Sequence, residues 1–197
     1  MSDNPIALRS KKKLIDALGK LLNEQTYKDI TITKLCQEAK LSRPAFYQNF
    51  DSIAEATEKC IGAHAHESYN RVGLRRVKGS EDLANFFLDI MNSDSNFITR
   101  MIEQGLDEMV AVQYARVFAS ADQTLKLIDD VDDDSLKSYY AEFIGAGSGS
   151  TLTRWFSEEN TLTRNEVISI ISTMISAAMP KATKATQKES SYTSKIG

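Results

Sequence analysis

The chain has 197 residues, of which 42% are apolar and 26% charged, with a net charge of −3; this is the profile of an ordinary globular protein. Three prolines and nine glycines are too few for a turn-rich all-β fold and favour helices. No run of about 18 apolar residues offers a membrane span, and no apolar signal core follows Met1, so the cytoplasm is the expected location.

Charge is spread unevenly. Residues 1–50 hold nine Lys/Arg and five Asp/Glu, whereas the remainder holds 15 and 22. A basic N-terminal segment on an acidic body hints at a polyanion partner for that segment alone. Cys36 and Cys60 fall in apolar helical patterns and read as reduced structural thiols.

Residues 1–8 read as frayed. From Ser10, apolar residues at Leu14, Ile15, Leu18, Leu21 and Leu22 recur every three or four positions, which predicts a first helix ending near Glu24. Thr31 is placed to cap a short second helix, Ile32 to Ala39, by accepting an orphan backbone N–H. Lys40-Leu41 reads as a tight turn. Ser42 then caps a third helix with Pro44 in its first turn, where a missing N–H costs little; this helix is expected to run through Asn49. A fourth, opened by Asp51 or Ser52, is expected from Ile53 to about Val77.

Two short helices, a turn of about three residues and a helix carrying Ser-Arg-x-x-x-Tyr form a helix-turn-helix pattern. Core packing accounts for Leu35, Ala39, Leu41 and Phe46. It does not account for Ser42, Arg43, Tyr47, Gln48 and Asn49 gathering on the other side of the third helix. Hydrogen-bonding side chains with one cation at a helix N-terminus are what base edges and phosphates require.

The rest stays helical. The pattern predicts helices from Ser80 or Glu81 through Met91, around Phe97 to Gly105, from Asp107 to Ile128, from Ser135 to Glu158, and from Arg164 to Met179, where Pro180 ends the last. The fold class is therefore all-α, with about nine helices. Residues 1–50 form the three-helix DNA-binding head. Residues 51–180 form a C-terminal helical domain, reached through a connecting helix at 51–77, and the Lys/Thr/Ser-rich tail 181–197 is expected to be disordered.

Residues 10–60 resemble the N-terminal domain of the TetR family of bacterial transcriptional regulators. The similarity rests on Ile30-Thr31-Ile32-Thr33-Lys34-Leu35 through Leu41-Ser42-Arg43-Pro44-Ala45-Phe46-Tyr47-Gln48-Asn49-Phe50. The resemblance implies a recognition helix at 42–49 in the major groove of double-stranded DNA, with Arg43, Ala45 and Gln48 approaching base edges. Thr33, Lys34, Ser42, Tyr47 and Asn49 would approach phosphate or the groove wall. It also implies a homodimer on a palindromic site, released by a small-molecule effector. Three positions depart from the family pattern: Lys40 stands where glycine is common, Ile53 where a phosphate-binding lysine is common, and Asn49 where an aromatic or histidine is common.

The same resemblance places an effector pocket among the middle helices, with Phe87, Met91, Arg100, Tyr114 and Phe118 as candidate lining; an aromatic and methionine stripe at this spacing also reads as plain core. It places the dimer interface on the last two long helices. The glycine-rich stretch Gly145-Ala146-Gly147-Ser148-Gly149-Ser150 suits close approach of a partner helix there, and a kinked or ligand-facing segment or a loop are the alternatives. Gly145, Gly149, Leu152, Trp155, Ile171 and Ile175 are the interface candidates.

No Walker lysine or preceding strand accompanies the glycines, so no nucleotide site is expected. His64 and His66 lie two apart, on different helix faces, and Asp129 to Asp134 lacks the EF-hand glycine and terminal glutamate. No metal, no cofactor and no enzymatic activity are expected. The alternative reading is a helix-turn-helix regulator without an effector pocket, acting through a protein partner.

Overall fold

The computed structural model describes residues 5–73, 75–131, 133–157 and 161–179. These form ten α-helices and one 3-10 turn, with no strand among the described residues, one more helix than the sequence pattern suggests. The helices are α1 (Pro5–Glu24), α2 (Ile32–Ala39), α3 (Arg43–Tyr47), α4 (Ile53–Val72), α5 (Ser80–Asn92), α6 (Ser95–Glu103), α7 (Asp107–Ser120), α8 (Asp122–Leu127), α9 (Asp134–Trp155) and α10 (Arg164–Ala178). No helix among them is long and apolar enough to cross a membrane.

α1 buries Leu14, Leu18, Leu21 and Leu22 beneath α2 and α3. It begins at Pro5, before the expected Ser10, because a proline at the first position supplies a helical φ and its missing donor would be an orphan anyway. α4 runs from the head into the body, resting on α1 at one end and on α7 at the other. It stops at Val72 and not at Val77, since Gly73 turns the chain with φ 72°. Midway, His64 Nδ1 meets Asp94 Oδ2 at 2.7 Å, and the ring stacks on Phe97 at 3.7 Å, which ties α4 to the start of α6.

The helix expected over 107–128 is two helices. Ala121 leaves the helical region with ψ 133°, and the Thr124 hydroxyl donates to the Phe118 carbonyl at 2.7 Å. That bond satisfies an acceptor the break orphans. Beyond the break Ala121, Gln123, Thr124 and Ile128 all lie in the core. Asp133 caps α9, its carboxylate accepting from the amides of Ser135 and Leu136.

α9 is helical straight through its glycines, and α7 is the helix it packs against. A Cβ on Gly145 would lie 2.5 Å from the Ala115 carbonyl oxygen, and one on Gly149 would lie 2.8 Å from that of Ala111. Each glycine weakens a helix by about 1 kcal/mol relative to alanine, and two of them are required by contact with a neighbour too near for any side chain. α10 closes the body against α5 and α9, with a capping box at Thr163 and Glu166. The tail at 181–197, Pro180, Asp132 and Glu158 lie outside the described residues.

Candidate nucleic-acid interface

The head is built around a turn that positions α3. Thr31 Oγ1 accepts the Lys34 amide at 3.2 Å, as expected of a cap. α2 ends at Lys40, whose φ of 53° and ψ of 44° are left-handed. The Leu41 amide reaches back to the Cys36 carbonyl at 2.9 Å and the Lys40 amide to that of Gln37 at 3.2 Å, a Schellman closure. Glycine fits this closure without strain, whereas lysine adopts it at a cost of about 1 kcal/mol or more. Ser42 Oγ then accepts the Ala45 amide at 3.3 Å and starts α3.

Phe46 and Phe50 anchor α3 from below, both buried. The Tyr47 ring stands edge-on to Phe46 at 5.4 Å and is half exposed, at 51%. α3 is shorter than expected: it ends at Tyr47, with Gln48 as its cap. Asn49 explains the stop, because its Nδ2–H donates to the Ala45 carbonyl at 2.7 Å and so satisfies an acceptor at the end of the helix.

The exposed face of the head carries Thr33, Arg43, Tyr47 and Gln48, none of whose side chains hydrogen-bonds or ion-pairs among the described residues. Ser42 is exposed beside them and Ala45 half-buried. Two expected contact residues are engaged internally instead. Asn49 is the cap just described. Lys34 donates its ammonium to the Asp29 carbonyl at 2.9 Å and to Gln25 Oε1 at 3.2 Å, holding the 3-10 turn Tyr27–Asp29 against α2. α1 adds exposed Lys12 and Lys13 and sets Lys11 Nζ 5.8 Å above the Phe50 ring.

The expected effector residues are core. Phe87, Met91, Tyr114 and Phe118 are fully buried, and Phe87 stacks on Phe118 at 4.2 Å, so their own rings fill the space between α5 and α7. Arg100 points elsewhere: its Nε–H donates to the Leu22 carbonyl at 2.8 Å, at the end of α1. Gln104 joins it, donating to the same carbonyl at 3.2 Å and accepting the Tyr27 amide. The body thus holds the head by hydrogen bonds from α6, a role the arginine's spacing alone does not reveal.

The dimer candidates are corrected similarly. Gly145, Gly149, Leu152, Ile171 and Ile175 are buried within the one chain, and the glycines lie against α7, so they present nothing to a second copy. Trp155 is partly buried and donates to the Leu162 carbonyl at 2.9 Å. The exposed apolar side chains of this region are Leu136, Tyr139 and Phe143 on α9, at 51%, 69% and 65%, and Met174 on α10, at 54%. Tyr139 and Phe143 are four apart, so they share a helix face.

No family model and no curated protein sequence matches the chain. Solved structures do. A TetR-family transcriptional regulator from Streptomyces coelicolor matches with a TM-score of 0.51 at 14% identity, over 86% of this chain and 79% of that one. The TetR-family repressor AlkX from Dietzia sp., implicated in n-alkane biodegradation, matches with a TM-score of 0.56 at 14% identity, over 90% of this chain and 97% of its own. The all-helical chain has the fold of the TetR-family transcriptional regulators.

Proposed function

We propose that the protein is a DNA-binding transcriptional regulator, a homodimeric repressor whose head reads a palindromic operator and which a small molecule releases. The observation that carries this reading is α3. It is a short helix pinned from beneath by Phe46 and Phe50, and it turns a cation, a phenol and an amide outward with no hydrogen-bond or ion-pair partner among the described residues. Pinning without internal use is what direct readout of a groove needs, because side chains held by the protein have no donors or acceptors to spare for bases. Arg43 and Gln48 would meet base edges, and Thr33, Ser42 and Tyr47 the phosphates.

The exposed stripe of Tyr139 and Phe143, continued by Met174 on α10, is the surface proposed for the second copy. Phe143 and Met174 line one shallow groove, and apolar side chains exposed together mark an interaction surface. A two-fold copy seated there would repeat the head and give the operator its symmetry. A second reading, a regulator without an effector that works through a protein partner, draws on the filled core around Phe87 and Phe118.

Selection of random duplex DNA by the full chain at two salt concentrations tests the proposal. Enrichment of a palindrome, with affinity falling steeply as salt rises, is the expected result. Enrichment only when cell extract is present would favour the second reading, and no enrichment under either condition would reject both.

A further inference from the structure

An open cleft lies where α6, α7 and α9 meet, with a volume of about 750 Å³, the size of a pocket for a drug-sized ligand. Ile102 and Phe156 give it apolar walls, and three carboxylates, Glu103, Asp107 and Glu108, open into it against the single guanidinium of Arg154. None of the three carboxylates has a hydrogen bond or ion pair among the described residues. Thr153, in the wall, is 4% exposed, and its hydroxyl is buried without a partner. A buried hydroxyl left unpaired costs about 1–3 kcal/mol, which a ligand that hydrogen-bonds it would offset.

We infer that this cleft binds an organic amine of drug size, its ammonium held by Glu103, Asp107 and Glu108 and its apolar body against Ile102 and Phe156, and that this is the effector site. The inference rests on the regulator reading for its last clause only. An ammonium matches the excess of unpaired carboxylates and has N–H donors for the Thr153 oxygen. A carboxylate or phosphate ligand would meet like charge.

The cleft also explains how occupancy would be felt at the head. Glu103 and Thr99, four apart on α6, face the cleft, while Arg100 and Gln104, the next pair round the helix, hold the Leu22 carbonyl and the Tyr27 amide. A rotation of α6 that draws Glu103 toward an ammonium moves Arg100 and Gln104 with it, since all four sit on one rigid helix.

Trp155 is the chain's single tryptophan and packs at 5.4 Å on Phe156, so it reports from the cleft edge. The probe is dansylcadaverine, a dansyl group carrying a pentylammonium, compared with its neutral N-acetyl derivative, on the full chain without DNA. Saturable energy transfer from Trp155 in the micromolar range is expected, at least tenfold weaker for the acetylated probe. Glu103→Gln removes a carboxylate from a helix C-terminus, where negative charge is unfavourable, so it leaves the fold intact. It should weaken the charged probe about fivefold and leave the neutral one unchanged. Thr153→Val, which removes an unpaired hydroxyl, should weaken the charged probe severalfold while the helical signal melts no earlier. Equal affinity for the two probes, unsaturable transfer, or indifference to both substitutions would overturn the site. Amine binding that leaves the selected operator's affinity unchanged would overturn the effector role alone. Failure to enrich any operator would count against the regulator reading and not against the cleft.

Discussion

Arg100 donates to the carbonyl of Leu22 across 2.8 Å, joining residues 78 apart at the seam between head and body. Leu22 lies in the last turn of α1, where carbonyls lack helical partners, so the body supplies the cap that the head's own sequence does not. Arg100→Met keeps the apolar stem and removes the donor. With Gln104 still bonded to the same oxygen, the loss should be about 1–2 kcal/mol, read from urea unfolding. The amides of the last turn of α1 should lose hydrogen-exchange protection more than those of α9; equal loss in both helices would mean that the bond does not act locally.

The three glycines of α9 predict three different outcomes. At Gly145 an added Cβ would meet the Ala115 carbonyl oxygen at 2.5 Å and Ala119 at 2.9 Å, and at Gly149 it would meet Ala111 and Ala115 at 2.8 and 3.0 Å. Backbone cannot swing aside as a side chain does, so Gly145→Ala should destabilise by about 1–3 kcal/mol and Gly149→Ala by somewhat less. Gly147 has nothing within 4 Å, and Gly147→Ala should stabilise by up to about 1 kcal/mol through helix propensity. Thermal melts of the three variants should reproduce the order Gly147→Ala, then Gly149→Ala, then Gly145→Ala, from most to least stable.

These glycines show how far the sequence could be read. Their need for a close neighbour follows from composition, because three glycines in a helix must be offset by something. Which neighbour it is does not follow, since packing partners are set by tertiary arrangement; α7 of the same chain, not a second copy, takes the place. The starts of α2 and α3 were legible to the residue because their signals are local: Thr31 and Ser42 cap, and Pro44 opens a helix. Lys40 sits at positive φ, where the resemblance expects glycine. The break at Ala121 was not legible. No proline or glycine marks it, and Thr124, whose hydroxyl bonds the Phe118 carbonyl across it, is of a residue type common inside helices. The internal bonds of Lys34 and Asn49 were not legible for a related reason: residue type says what a side chain can bond, and only the fold shows that Asp29 and Ala45 take those donors.

The ammonium of Lys34 therefore separates two kinds of contribution to DNA binding. A phosphate-contacting lysine lowers the salt dependence by about one unit of slope when neutralised. Lys34→Met should leave that slope nearly unchanged, and instead lower stability by up to about 1 kcal/mol through loss of the bonds to Asp29 and Gln25. Gln48→Ala, with no internal bond to lose, should leave stability alone and relax preference at one base position. Tyr47→Phe keeps the edge contact with Phe46 and should weaken all sequences alike. A slope change for Lys34→Met in otherwise stable protein would return it to the interface.

Phe143 tests the second copy. It is 65% exposed, so Phe143→Asp costs little within one chain, while in a two-fold contact two carboxylates would face an apolar surface and each other. Sedimentation should show a dimer for the parent and a monomer for the variant at the same concentration, with unchanged helical content. A parent that sediments as a monomer, or a variant that remains a dimer, would remove this face from consideration.

Cys60 gives a prediction in pH. Its thiol is buried and lies 3.7 Å from the Ile15 carbonyl, and burial, aided by the negative charges of Asp16 and Asp94, pushes it up to about 12 from an ordinary 9.0. At pH 8 the native thiolate is then roughly one molecule in ten thousand. A disulfide reagent should label Cys60 only as fast as the chain opens, and urea should speed labelling in step with unfolding. Because the folded value lies above the unfolded one, the neutral thiol's contribution is complete below pH 9 and is lost as pH rises toward 12. Alkaline unfolding in Cys60→Ala should be measurably less steep across that window, set against the small uniform loss from the missing sulfur. Rapid labelling of Cys60 in native Cys36→Ser protein at pH 8, without urea, would mean that α4 does not stay seated on α1.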